Sequence, residues 1–326
     1  MAPTKIAPMV LTVFALFSVS ASGEQFSLAG PKGETKPREA EKPVVMPPAP
    51  SAKQGAANAA KAGLQFVTIP GGEYSMGTAE DGWDAAKPVH RVKIKDFELT
   101  KSHVTNKQYK ACVAAGACEP HHINDGTCWM LDGSRKGNGD MWVQKNIPKE
   151  FLGDDQPIIC VNWYEAKAYS QWVGGRLPSE SEWEYAARSG GKDQKYPWGN
   201  EEATCERAVM DDGGNGCGHA GTIPVCSKPK GLTSQGLCDM AGSNWEWTED
   251  WLHDSYVGAP TDGSAWVKPA GIMRVGRGGS WNDYSAFLRS SFRNAGYPTD
   301  RCAAGGFRVA RDRPASSPAP VKVTAL

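Results

Sequence analysis

The sequence predicts an α+β domain with little regular secondary structure, and three observations carry that prediction. Glycine (37), proline (23) and tryptophan (12) are plentiful among the 326 residues, which suits loops packed around large aromatics rather than long aliphatic helices. Only three segments combine a helical period with a start signal. Beyond Arg188 the pattern is glycine-rich and aperiodic, as loops and short strands would be.

Taken in chain order, the first residues read as an export signal. Lys5 supplies a basic start, Met9 to Val19 is mostly apolar, and Ser20, Ala21, Ser22 and Gly23 are small, so residues 1–23 are expected to be a cleaved signal peptide. The apolar run of about 11 residues is too short to cross a bilayer, where roughly 20 are needed, so no transmembrane segment is expected after signal removal. A secreted or periplasmic location follows. Residues 24–63 are rich in Pro, Ala, Lys and Glu and nearly free of aromatics after Phe26, which predicts a disordered tether; residues 312–326 predict a disordered tail for the same reason. Residues 64–311 are expected to be a single domain without internal repeats.

Within that domain, Phe66, Val67 and Ile69 precede a Pro-Gly-Gly turn and a second short run with Tyr74 and Met76, which predicts an opening hairpin. Val89, Val92, Ile94, Phe97 and Leu99 then alternate as a strand, ending at Thr105, a good N-cap for a helix carrying Tyr109 to Val113. A second helix is predicted from Asn162 through Trp172, with Trp163, Ala166, Tyr169 and Val173 on one face. The third has the sharpest start: Ser179 and Glu182 form a capping box after Pro178, and Trp183, Ala186 and Ala187 make the buried face.

Lys+Arg and Asp+Glu both total 36, and a formal charge of zero removes the electrostatic footprint of a dedicated nucleic-acid binder. Nine cysteines in an exported chain imply disulfides. Spacing suggests Cys112 with Cys118, Cys128 with Cys160, and pairs within Cys205, Cys217, Cys226 and Cys238. One cysteine is left over, with Cys302 the candidate, although spacing does not fix connectivity. The stretch DDGGNGCG is no phosphate loop, lacking a following Lys-Ser/Thr, and no G-x-S-x-G surrounds any serine.

Read in order, IPGGEYSMG, KPVHRVKIKDFELTKSHVTNKQY, PIICVNWYEAKAYSQWVGGRLPSESEWEYAARSG, YPWGN, GLCDMAGSNWEWTEDW, RVGRGGSW and GGFRVAR form one ordered set across Phe66 to Arg311. The set resembles the formylglycine-generating enzyme family, also called the sulfatase-modifying-factor domain. The resemblance implies an irregular α+β fold related to C-type lectins. It also implies a calcium site, because the family takes oxygens from the stretch that here reads LCDMAGSNWEWTEDW; the corresponding positions are Asp239, Gly242, Asn244 and Glu246, hard ligands of the kind calcium accepts.

The resemblance breaks at the family's chemistry. Formylglycine-generating enzymes carry two cysteines, five residues apart after Gly-Gly-Ser, that bind Cu(I) and bring O₂ to a substrate cysteine; soft thiolates suit that ion. Here the matching positions are Asp283 and Leu288, so formylglycine generation by that route is not expected. Ser280 and Trp245 match residues lining the family's active-site region. With Asp283 as a metal ligand or general base, they form the candidate catalytic group of an oxidoreductase-like protein whose redox metal is left open and whose substrate would be a peptide or small molecule.

Two other readings stand beside it. One is a non-catalytic lectin-like module for a peptide, glycan or envelope partner, drawn from the Arg- and aromatic-rich segment with Trp281, Tyr284, Phe287, Arg289, Phe292, Arg293 and Tyr297. The other is thiol chemistry at Cys302, where neighbouring Arg301 could lower the thiol pKa. None of His90, His103, His121, His122, His219 and His253 shows helical metal-ligand spacing, and the adjacent His121 and His122 would bind a metal only weakly.

Overall fold

The computed structural model describes residues 48–80, 84–131 and 142–313; the expected signal peptide and nearly all of the expected tail lie outside them. Four helices and eleven short strands alternate irregularly: α1 (Ala52–Ala62), β1 (Phe66–Ile69), β2 (Gly72–Met76), β3 (His90–Ile94), β4 (Phe97–Thr100), α2 (Asn106–Ala114), β5 (Cys128–Leu131), β6 (Trp142–Lys145), α3 (Trp163–Trp172), α4 (Glu180–Ala187), β7 (Trp245–Trp251), β8 (Arg274–Arg277), β9 (Arg293–Gly296), β10 (Gly305–Gly306) and β11 (Ala310–Asp312). The α+β expectation holds. Among the described residues no helix is long and apolar enough to cross a membrane.

The helix starts follow their capping residues. Thr105, Asn162 and Ser179 each accept a hydrogen bond from the N3 amide, and the Gln108, Glu165 and Glu182 side chains each accept one from the cap residue's own amide, closing three capping boxes. The opening hairpin does not form. β1 pairs with β4, and β2 pairs with β3, in separate sheets. The Pro-Gly-Gly corner packs against the corner between β3 and β4 so closely that a Cβ on Gly71 would lie 2.3 Å from the Ile94 carbonyl oxygen. Both chains therefore cross between sheets at one point, and the run read as one strand splits into β3 and β4.

One sheet joins the first and last strands of the described domain, because β4 is flanked by β1 and β11. The second sheet runs β10-β7-β8-β9, and α4 packs against β7 and β8. Aromatics dominate the core around Tyr109, Trp163, Tyr169, Trp245, Trp247 and Phe307. Eight cysteines form four disulfides, Cys112–Cys118, Cys128–Cys160, Cys205–Cys217 and Cys226–Cys238, leaving Cys302 free and buried.

Residues 52–62, expected to belong to the tether, are instead an ordered part of the domain. Ser51 caps α1 and Gly63 closes it in the left-handed region at φ 71°. The stretch lacks large apolar residues of its own but is alanine-rich, which favours helix and permits close approach. Ala59 and Ala62 join the aromatic core, Asn58 Nδ2 donates to the Trp172 carbonyl at 2.7 Å, and Gly55 meets Gly174 directly. Its partners supply the bulk, which composition could not reveal. At the other end β11 extends to Asp312, past the expected boundary, because its pairing with Phe97 continues the β4 ladder. A Cβ on Gly55 would lie 2.5 Å from the Gly174 Cα, so Gly55→Val is expected to destabilise the domain by about 1–3 kcal/mol, measured by urea unfolding; an unchanged midpoint would mean that α1 is not docked.

Candidate functional site

Strand β8 ends in Arg277, and Gly278 and Gly279 follow at φ 103° and 75°, a conformation glycine enters without penalty. The turn also needs their missing side chains: Cβ atoms would lie 3.1 Å from the Trp183 ring and 2.7 Å from Leu288 Cδ1. It turns Ser280 inward. The Ser280 amide donates to Asp283 Oδ2 at 2.9 Å, and the Ser280 hydroxyl donates to the same oxygen. The Trp245 side chain lies close enough to the Asp283 carboxyl to lower its pKa. The three residues singled out as candidate catalytic groups are thus assembled around one carboxylate.

That carboxylate is buried, as are its partners: Asp283 is 3 % exposed, Ser280 0 % and Trp245 3 %. Burial pushes the Asp283 pKa from 3.8 up to about 6; the Ser280 donors and the Trp245 side chain hold it back, and the Asp211 carboxylate raises it further. Leu288 is fully buried in a cluster with Tyr196, Ala203, Met210 and Ala241, against which the Cys205 and Cys217 side chains also pack. Cys302 does not offer a reactive thiolate. Burial pushes its thiol up to about 12, and the Arg301 guanidinium is turned to Glu165.

The residues expected to hold calcium do not fit that ion. Both oxygens of Glu246 are already engaged: Arg308 Nε and the Trp183 indole donate to Oε2 at 2.5 and 2.8 Å, and Arg308 donates again to Oε1 at 2.8 Å. His103 Nε2 lies 3.2 Å from Oε1. Asp239 Oδ2 accepts the Cys226 amide at 2.7 Å, and burial raises its carboxyl. The Gly242 carbonyl accepts the Asn244 amide. Of these four residues, Asn244 contributes one buried side-chain oxygen, Oδ1, without a partner. A guanidinium already neutralises Glu246, and one orphaned amide oxygen is no shell for an ion that takes six to eight oxygens. His121 and His122 diverge as well: His121 Nε2 bonds the Ile159 carbonyl, whereas His122 lies between Asp125 and Glu165. Among the described residues no group of three or more His, Cys, Asp or Glu side chains is arranged for a metal.

The aromatic segment proposed for recognition divides. Trp281, Phe292 and Arg293 are buried, while Tyr284 and Tyr297 are 62 % and 41 % exposed. Arg293 is held by Glu180 in a two-bond pair of 2.6 and 2.8 Å. Internal Arg–carboxylate pairing is an alternative the sequence allows for Glu246 and Arg293, but it does not name the partners: Glu180 with Arg293, Glu184 with Arg188 and Arg277, and Glu246 with Arg308. The available signal was the presence of charged residues inside otherwise apolar motifs, in SESEWEY, RVGR and GGFRV.

Two tests follow from the geometry. A carboxyl raised from 3.8 to about 6 on folding stabilises the fold fully only below its unfolded pKa, and that contribution is lost as pH rises through 6. The loss from this group is about 3 kcal/mol. Asp283→Asn, which keeps an acceptor oxygen, is therefore expected to be more stable than the parent at pH 8, with the difference closing near pH 4; urea midpoints at the two pH values check it. Arg308→Met leaves Glu246 buried without its cation and is expected to cost about 3–5 kcal/mol in the same assay.

Comparison with known proteins agrees with this architecture. The model of the sulfatase-modifying factor enzyme 1-like domain matches residues 52–313, beginning at the first residue of α1. The formylglycine-generating enzyme of Streptomyces coelicolor is 30% identical over 309 residues, covering 81% of this chain and 95% of that enzyme. The serine/threonine-protein kinase Pkn1 of Chlamydia trachomatis is 32% identical over 251 residues, 76% of this chain, although the chain spans only 38% of that kinase. Among solved structures, PvdO from Pseudomonas aeruginosa superposes with a TM-score of 0.60 at 30% identity, covering 76% of this chain and 94% of that one. With the match extending over the whole described domain, the chain belongs to the sulfatase-modifying factor, or formylglycine-generating-enzyme-like, family.

Proposed function

We propose that this chain is an exported, oxidoreductase-like member of its family that works without a copper dithiolate and uses Asp283, beside Ser280 and Trp245, as the acid–base group toward a peptide or small-molecule substrate. The observation that carries the proposal is the buried Asp283 carboxyl, with the Ser280 amide and hydroxyl both directed at it, Trp245 beside it and its pKa raised to about 6; we read it as standing in place of a family thiolate. Such a group exchanges a proton readily near neutral pH. Leu288 at the second thiolate position and the protonated Cys302 support a mechanism without paired sulfur ligands. Four disulfides support export to an oxidising compartment. The likeness to a formylglycine-generating enzyme over nearly its full length supports an enzymatic role.

A second reading, a non-catalytic module for an envelope or extracellular partner, is favoured by one observation: Ser280 and Asp283 are closed off from solvent while Tyr284 beside them is exposed. Elemental analysis of the mature protein, combined with oxygen uptake on thiol and phenol substrates, separates the two. The enzymatic reading expects uptake that falls at least about tenfold in Asp283→Ala. No uptake with any substrate, or uptake indifferent to that substitution, leaves the binding module.

A further inference from the structure

Residues 119–127 run between two disulfides, Cys112–Cys118 at one end and Cys128–Cys160 at the other. Both ends are stapled, so the segment can lift locally while the domain stays folded. Neutral hydrogen bonds hold it in place: the Tyr109 hydroxyl donates to the Glu119 carbonyl at 3.3 Å, His121 Nε2 to the Ile159 carbonyl at 2.9 Å, and the Ile147 amide to the Ile123 carbonyl at 3.0 Å. His122 adds a charged fastening. Its Nδ1 meets Asp125 Oδ2 within the segment, and its Nε2 meets Glu165 Oε1 on α3 at 3.0 Å. A neutral imidazole has one N–H and one lone pair, whereas an ionised carboxylate only accepts. Both bonds therefore exist together only while the ring carries two protons and a positive charge.

The charges around the ring alternate in sign. Arg301, ahead of β10, donates to Glu165 Oε1 from Nη2 and Nε at 2.5 and 3.1 Å, so Asp125, His122, Glu165 and Arg301 form a row. Burial works against the Glu165 charge, but His122 and Arg301 outweigh it and hold the carboxyl below its ordinary value. Slight burial of Asp125 is likewise outweighed by its Thr127 and His122 donors. His121, next to the ring, is kept neutral by burial, which lowers it to about 4, and Lys110 on α2 is held by Asp154 at 2.8 Å. We infer that residues 119–127 form a pH-sensitive clasp: the His122 imidazolium fastens the segment to α3 through Glu165, and loss of its proton releases it. The Glu165 hydrogen bond, opposed by burial and helped by Asp125, raises the ring above its ordinary 6.5. The clasp is thus complete below pH 6.5 and is lost as pH rises through the raised value. Release uncovers the Tyr109 ring, which His121 faces edge-on at 6.4 Å, and leaves Arg301 as the cation on Glu165.

Two NMR measurements on the full mature chain test the clasp: titration of the histidine ring signals, and amide hydrogen exchange at Ile123 and Ile147, at about pH 5.5 and about pH 8.5. The Ile123 amide donates to the His121 carbonyl at 2.9 Å, so both amides report on the segment. His122 is expected to titrate above 6.5. Protection at the two amides, corrected for the intrinsic pH dependence of exchange, is expected to fall at least about tenfold between the two conditions. His122→Gln, which cannot carry the charge, is expected to show low protection at both and no such fall. If that variant does not fold, Asp125→Asn, which keeps an oxygen for Thr127, is expected to lower both the ring's titration point and the pH at which protection is lost. The inference is overturned if His122 titrates at or below 6.5 or if protection is equal at the two pH values. It is also overturned if the fall persists in His122→Gln, or if Asp125→Asn moves neither midpoint. Asp283 responds to pH alike in parent and variants, so the comparison isolates His122 and does not depend on the acid–base reading of Asp283.

Discussion

The buried ion pairs between α4 and the four-stranded sheet are the constraint on which the remaining structure depends. All eight residues of α4 are buried, three of them glutamates. Glu180 is met by Arg293 on β9, and Glu184 by Arg277 on β8 and by Arg188 at the helix end. Arg277 also donates to the carbonyls of Ser290, Ser291 and Phe292, and Arg188 to that of Gly77. Charges this deep cost several kcal/mol each to desolvate, so their net stabilisation is small, but their partners are hard to exchange. In a fold with so few ladder hydrogen bonds, they fix how irregular loops meet the sheet.

The same pairs place the candidate site. Successive residues of a strand face opposite sides, so β7 sends Trp245 toward Asp283 and Glu246 toward Arg308 and the Trp183 indole. Glu246 is consequently a structural anion, while its neighbour serves the carboxyl in the turn. Arg277, fixed by Glu184, immediately precedes the glycine pair that aims Ser280. The turn thus inherits its position from α4, whose Trp183 ring also lies against Gly278.

Asp283 departs from the pattern set by the arginine-paired interior glutamates. Arg308, Arg277 and Arg293 hold Glu246, Glu184 and Glu180, whereas Asp283 receives only neutral donors and lies near a second carboxylate, Asp211. An unpaired buried acid works against stability at neutral pH, and such groups concentrate where function is selected. Asp250 is similar, pushed up to about 7 by burial and by Glu180, but its two oxygens accept the Glu180 and Trp266 amides as a loop brace.

Local signals were legible in the sequence because they act over a few residues. The three capping boxes could be read from Thr105, Asn162 and Ser179, and the α+β class from composition and periodicity, without coordinates. So could the grouping of Ser280, Trp245 and Asp283, through family resemblance. What the tertiary structure decided involved partners distant in sequence. Helix α1 is stabilised by aromatics more than a hundred residues away, as in the contact of Asn58 with Trp172; β1 pairs with β4 rather than with its neighbour; and Glu246 is taken by Arg308. Composition and periodicity report what a segment brings to an interface. Whether that interface exists, and whether a buried oxygen meets a metal or a guanidinium, depends on which distant residue packing brings within about 3 Å of it.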